Sequence, residues 1–145
     1  MAIKISVALL ATALLTLAGA SQAAQSIDVY KSPSCGCCGK WIEHLKKAGF
    51  KVESHDVTDV SGARAKLGMP HKYGSCHTAK VGNYVLEGHV PATDIKRLLK
   101  EKPKALGIAV PGMPAGSPGM DIPNSPPYET LLVQTDGTSS VFARH

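Results

Sequence analysis

The sequence predicts a mixed α/β domain, and three observations predict it. Runs that alternate apolar and polar residues take turns with runs at helical period. Gly and Pro mark most of the boundaries between them. A cysteine cluster, "SPSCGCCGKW" (32–41), falls where the first alternating run gives way to the first helical one.

The elements follow in order. "SIDVYK" (26–31) sets Ile27 and Val29 among polar neighbours and reads as a strand. In "GKWIEHLKKAGF", Trp41, Ile42 and Leu45 share a helix face and Gly49 ends the helix, with Trp41 and Phe50 in the core. "KVESHDV" (51–57) is a second strand, and "SGARAKLG" (61–68) a short helix closed by Gly68 and Pro70. "CHTAKV" and "YVLEGHV" flank Gly82-Asn83 and form a hairpin. Pro91 opens "ATDIKRLLKEK", a helix that buries Ile95, Leu98 and Leu99 and carries basic residues in its last turn. Residues 107–127, "GIAVPGMPAGSPGMDIPNSPP", are Gly/Pro-rich and read as an irregular loop; "ETLLVQTDGTSSVFAR" reads as a terminal hairpin about Asp136-Gly137. Strand–helix–strand–helix–hairpin–helix is the plan of a thioredoxin-like, three-layer α/β fold, here with a Gly/Pro/Met-rich loop and a C-terminal hairpin appended.

The N-terminus sets the compartment. Lys4 precedes an apolar run from Ile5 to Leu17, and Ser21-Gln22-Ala23 fits a small-x-small cleavage site. That run is shorter than the ~20 residues a membrane span needs. Residues 1–23 therefore read as a signal peptide, and 24–145 as one soluble, exported domain with no membrane association after cleavage. The chain's net charge is +5, spread without a basic block and with few aromatics, which argues against nucleic acid as a partner.

Three of the four cysteines, Cys35, Cys37 and Cys38, lie within four positions; the fourth is Cys76. One Cys-x-x-Cys pair suffices for a redox switch, so the extra sulfur points to metal. A helix N-terminus favours thiolates, which serve both disulfide exchange and soft-metal binding. In a thioredoxin-like chain the turn entering the third strand faces the motif and normally carries a cis-proline. Here "YGSCHTAKV" places Cys76 there instead.

Four converging sulfurs suit Cu(I), Zn(II) or an iron–sulfur cluster. "CGCC" crowds its donors too closely for an ordinary zinc cage, and export disfavours iron–sulfur, which leaves Cu(I), with bridging thiolates holding more than one ion. Met113 and Met120 offer thioethers from the loop, or pin it to the domain. His77 is a candidate ligand unless strand alternation turns it away. His44 reads as solvated or at the core edge; His55, His71, His89 and His145 read as surface residues, and Lys40 as solvated. Two other readings stay open: a thiol–disulfide oxidoreductase using Cys35 and Cys38, and a structural scaffold bridged Cys35–Cys38 and Cys37–Cys76.

The blocks "SPSCGCCGKWIEHL", "YGSCHTA", "YVLEGHVPATDIKRLL" and "LGIAVPGMPAGSPGM" together resemble the CopG-type copper-resistance proteins of Gram-negative periplasms, over nearly the whole chain after residue 23. The resemblance implies a thioredoxin-like periplasmic protein that binds copper through Cys35, Cys37, Cys38 and Cys76 as a thiolate-bridged multinuclear site. It also implies Cu(I)/Cu(II) conversion, a copper-linked oxidoreductase activity, and exchange of copper with other periplasmic copper-handling proteins. Met113 and Met120 match the family's loop pattern.

Overall fold

The computed structural model describes residues 25–145; the expected signal peptide lies outside the described residues. In chain order the elements are β1 (Ser26–Lys31), α1 (Gly36–Lys47), β2 (Lys51–Asp56), α2 (Val60–Lys66), a 3-10 turn (His71–Tyr73), β3 (His77–Val81), β4 (Tyr84–Glu87), α3 (Ala92–Glu101), β5 (Gly107–Ala109), β6 (Glu129–Val133) and β7 (Ser139–Arg144). All seven strands join one mixed sheet in the order β2-β1-β3-β4-β5-β6-β7. β1 runs parallel to β2, β4 parallel to β5, and the remaining pairs are antiparallel. No helix among the described residues is long and apolar enough to cross a membrane.

Strand alternation divides the core between the two sheet faces. Ile27, Val29, Ala79, Val81, Leu86 and Ile108 pack with Trp41, Ile42 and Leu45 of α1 and Ile95 and Leu98 of α3. Their strand neighbours Val85, Ala109 and Val133 form a smaller cluster with Met69 and Tyr73. The larger cluster fixes α1, and with it the cysteine loop, against the sheet.

Two expectations need correction. Residues 107–127 are not irregular throughout, because Gly107–Ala109 form β5. A Cβ at Gly107 would collide with the Val85 backbone, so glycine lets this strand lie directly against β4. The C-terminal hairpin is therefore continuous with the main sheet through β5 and β6. On α3, Leu99 is only half-buried, while Asp94 is buried. The Asp94 carboxylate accepts from the Thr130 hydroxyl at 2.6 Å and from His145 Nε2 at 2.8 Å, which ties α3 to β6 and the chain's last residue.

Candidate metal centre

Cys35 is the N-cap of α1, and Cys37 and Cys38 occupy its first turn. No acidic residue stands in that turn, so the positive end of the helix faces the sulfurs unopposed. The fourth cysteine arrives from the other side of the groove, on the turn into β3. The four Sγ atoms lie within 4.8 Å of one another. Cys35 and Cys38 are joined as a disulfide, whereas Cys37 and Cys76 are free thiols. Cys76 Sγ is 3.5 Å from Cys38 Sγ and 4.0 Å from Cys37 Sγ.

A buried ion pair holds the Cys76 turn. Arg64 of α2 is 3 % exposed and Glu87 of β4 is fully buried. Glu87 Oε1 accepts from Arg64 Nε at 2.9 Å and from the Ser75 backbone N–H at 2.8 Å. Arg64 also donates to the Ser75 carbonyl at 2.6 Å. The described residues contain no cis peptide bond, so this pair grips the peptide units flanking Ser75 where a cis-proline turn was the alternative.

The imidazoles lie deeper. His77 and His89 are both fully buried, which corrects the expectation that His89 is a surface residue. The His77 ring packs on Trp41 at 4.2 Å and stacks with His89 at 5.3 Å between centroids. His77 Nε2 donates to the Gly88 carbonyl at 2.9 Å, so its Nδ1 presents a lone pair. That Nδ1 is 3.4 Å from Cys38 Sγ and 3.6 Å from Cys76 Sγ; His89 Nε2 is 3.3 Å from Cys76 Sγ. Strand alternation does not remove His77 from the site, because Cys76 precedes β3 on the turn.

Burial sets the protonation of these groups. It lowers the His77 pKa to about 3, with His89 and Arg64 acting in the same sense. It also lowers that of His89, against the Pro118 carbonyl and Asp121. Burial pushes the Cys76 thiol up to about 11, helped by neighbouring Cys37. The centre thus holds neutral imidazoles and a Cys76 proton that is costly to lose unless a cation takes its place.

The loop after β5 closes the open side. Gly112 N–H donates to the Gly74 carbonyl at 3.3 Å, and the Ser75 hydroxyl donates to the Gly112 carbonyl. Met113 Sδ then stands 3.9 Å from Cys37 Sγ, with the residue 49 % exposed. Gly119, at φ +94°, lies against the first turn of α1, where a Cβ would come within 2.9 Å of the Cys37 carbonyl and the Trp41 nitrogen. Met120 beside it is half-buried and makes no comparable sulfur contact.

The remaining histidines sit apart. His44 Nε2 accepts from the Ala92 N–H at 3.0 Å, capping α3; His55 pairs with Asp28 at 3.1 Å; His71 is exposed. The site residue missed by sequence reading is His89. Its signal was its place in "EGHVP", between a buried strand and the proline that opens α3, a stretch that is buried from Val85 to Ala92.

A family model described as a protein of unknown function, DUF411, matches residues 73–120, which include Cys76, His77, His89 and both loop methionines. Two solved structures of copper resistance protein CopG are similar. Form 2 is 43% identical over 84% of this chain and 98% of its own, with a TM-score of 0.79. Form 1 is 44% identical over 83% of this chain and 96% of its own, with a TM-score of 0.78. No curated protein sequence matches the chain.

Proposed function

The chain belongs to the family of the copper resistance protein CopG, and from that premise we propose that it binds Cu(I) in the periplasm through Cys35, Cys37, Cys38 and Cys76. The convergence of four sulfurs within 4.8 Å carries this reading. Thiolates this close bridge soft ions instead of wrapping one, so the reduced site takes more than one Cu(I). Met113, 3.9 Å from Cys37, supplies a thioether at the rim, and His77 a lone pair beneath. Met120 is the weaker of the two methionine candidates.

The Cys35–Cys38 disulfide supports a redox element in the same reading. Oxidation of that dithiol releases two electrons and two protons, and two Cu(II) ions taking one electron each become two Cu(I). Resistance would then come from holding, converting and passing on copper, in exchange with other copper-handling proteins of the same compartment. A signal peptide at 1–23 and a single domain from 24 to 145 are part of this proposal. So is a thioredoxin-like core, supported by the β2-β1-β3-β4 order and by a cysteine motif at the start of α1.

The disulfide also favours a second reading, a thiol–disulfide oxidoreductase acting on proteins through Cys35 and Cys38. The fully bridged scaffold is disfavoured, since Cys37 and Cys76 are free. Anaerobic titration of the fully reduced protein with Cu(I) against a strong competing chelator separates the first two. Several tightly bound ions, with the count reduced in Cys76→Ser, support the copper site. Failure to compete, together with rapid metal-free exchange between Cys35/Cys38 and a test disulfide, would assign the oxidoreductase role instead.

A further inference from the structure

Away from the groove, the fold gathers charge that the linear sequence spreads out. α1 and α3 lie on the same face of the sheet, since both bury their apolar residues in the larger core cluster. Two contacts set them side by side. His44 Nε2 accepts from the Ala92 N–H at 3.0 Å, and Lys96 Nζ stands 5.9 Å from the centre of the Phe50 ring, just past the end of α1. Their outer surface is cationic. Lys40, Lys46 and Lys47 are exposed on α1. Lys96, Arg97 and Lys100 are exposed on α3, and Lys102 and Lys104 just beyond it. Glu43 and Glu101 are the exposed acids of the two helices, and Glu101 is held by Arg97 at 2.8 Å. From this face we infer that the protein docks, peripherally and reversibly, on a phospholipid surface rich in anionic headgroups. The inference goes beyond the copper reading and does not depend on it.

The positive excess of the domain comes from this layer alone. Eight cations stand here against two exposed acids, while the other described residues hold seven cations against nine anions. Elsewhere charges are paired, as in Lys31–Asp56 at 2.7 Å, Lys51–Glu53 at 2.9 Å and Arg144–Glu129 at 3.0 Å. None of the seven lysines of the helical face has an ion-pair partner among the described residues. Lys40 and Lys47 recur seven apart, and Lys96 and Lys100 four apart, so each pair shares one helix face. Like charges four apart on a helix repel. The helix dipole accounts for Lys46, Lys47 and Lys100, which lie in last turns, but not for Lys40 or Lys96.

The makeup of the face selects the partner. Protein interfaces are enriched in aromatic residues and Arg and depleted in Lys. This face is the reverse: seven lysines, one arginine already engaged by Glu101, and no exposed aromatic side chain. A bilayer surface asks only for point charges spread over an area, and each lysine near it adds about fivefold in affinity. Met113, Ile122 and Val141, the exposed large hydrophobics, lie on neither helix, so the contact is electrostatic and carries no inserted anchor. Lys46 and Lys47 close α1 whereas the cysteines open it, which puts the contact and the sulfurs at opposite ends of that helix.

The test uses residues 24–145, which contain every described element and leave out the apolar run 5–17 that could bind lipid by itself. The protein is sedimented with vesicles of mixed phosphatidylglycerol and phosphatidylcholine, and with vesicles of phosphatidylcholine alone. Binding is expected to the mixed vesicles only, at about 0.1 M salt, and should vanish by about 0.5 M. Two triple variants remove equal charge from different places. Lys47→Gln/Lys96→Gln/Lys100→Gln should weaken binding by about 100-fold, at fivefold per lysine. Lys66→Gln/Lys72→Gln/Lys80→Gln, off the helical face, should change it by no more than about threefold. Far-UV circular dichroism confirms that both variants are folded. No binding to the mixed vesicles, binding that survives high salt, or equal losses in the two variants would overturn the inference. So would binding to poly-glutamate through the helical lysines with none to vesicles, which would point to an acidic protein instead.

Discussion

Lowering the pH of the metal-free, disulfide-bonded protein from 7 to 5 perturbs one buried group more than any other, the His77 imidazole. Unfolded, it titrates near the ordinary 6.5; folded, its value is lowered to about 3. Between those values the unfolded chain binds a proton that the folded chain refuses, so acid favours unfolding. The stabilisation is complete above the unfolded value and is lost progressively as pH falls through 6.5 toward 3. Each unit inside that window costs about 1.4 kcal/mol. From pH 7 to 5 the loss from His77 alone comes to about 2 kcal/mol. Because the folded value lies well below 5, the figure depends on the unfolded value and hardly on how deep the folded one lies. His44 and His89, both lowered by burial, act in the same direction, while Glu87, raised by burial, acts against them. Comparison with His77→Gln cancels these common contributions. Urea unfolding at each pH, followed by far-UV circular dichroism and by fluorescence of Trp41, the single tryptophan, supplies the numbers. The parent should lose about 2 kcal/mol more than His77→Gln between pH 7 and 5. Equal losses in the two proteins would refute a neutral, buried His77.

Three further outcomes follow from the same geometry. Glu87→Ala strands the Arg64 guanidinium in the interior and should cost about 3–5 kcal/mol by urea unfolding, whereas Arg64→Met/Glu87→Leu should cost far less; equal costs would mean that the pair is not desolvated. Gly119→Ala puts a Cβ against the Cys37 carbonyl at positive φ, so residues 112–122 should exchange amide protons faster and stability should fall by about 1–3 kcal/mol; unchanged exchange would show that the loop is not seated there. Met113→Ala removes a half-exposed side chain, so stability should stay within about 0.5 kcal/mol while Cu(I) is released to a chelator more quickly; an unchanged release rate would remove the thioether from the path.

Most of the fold was legible because most of it is local. β1 matches the alternating run 26–31 residue for residue, and the Gly82-Asn83 turn joins β3 to β4 as its flanks required. β5 was not legible, since three residues are too few to show a period and its pairing is with distant β4 and β6. Within the site, the gathering of Cys76 with the cluster could be read from its position in the chain. The state of the sulfurs could not: a Cys35–Cys38 bond depends on how α1 begins, not on spacing alone. His89 escaped notice because its burial comes from tertiary packing, with a Trp41–His77–His89 stack built from three separate segments. The burial of Asp94 in the first turn of α3 is likewise tertiary, since it comes with contacts from β6 and His145.

The depth of each donor gives the centre an inside and an outside. The thioether of half-exposed Met113 comes first, then the Cys37 thiol 3.9 Å away, then Cys76, and last the fully buried rings of His77 and His89. Along this route the donors harden, from thioether through thiol to imidazole. In the proposed copper site a zinc or nickel ion would thus meet first the ligand it favours least, and a cuprous ion one it favours most. Discrimination would then be made kinetically at the threshold, before the ligands beneath are offered.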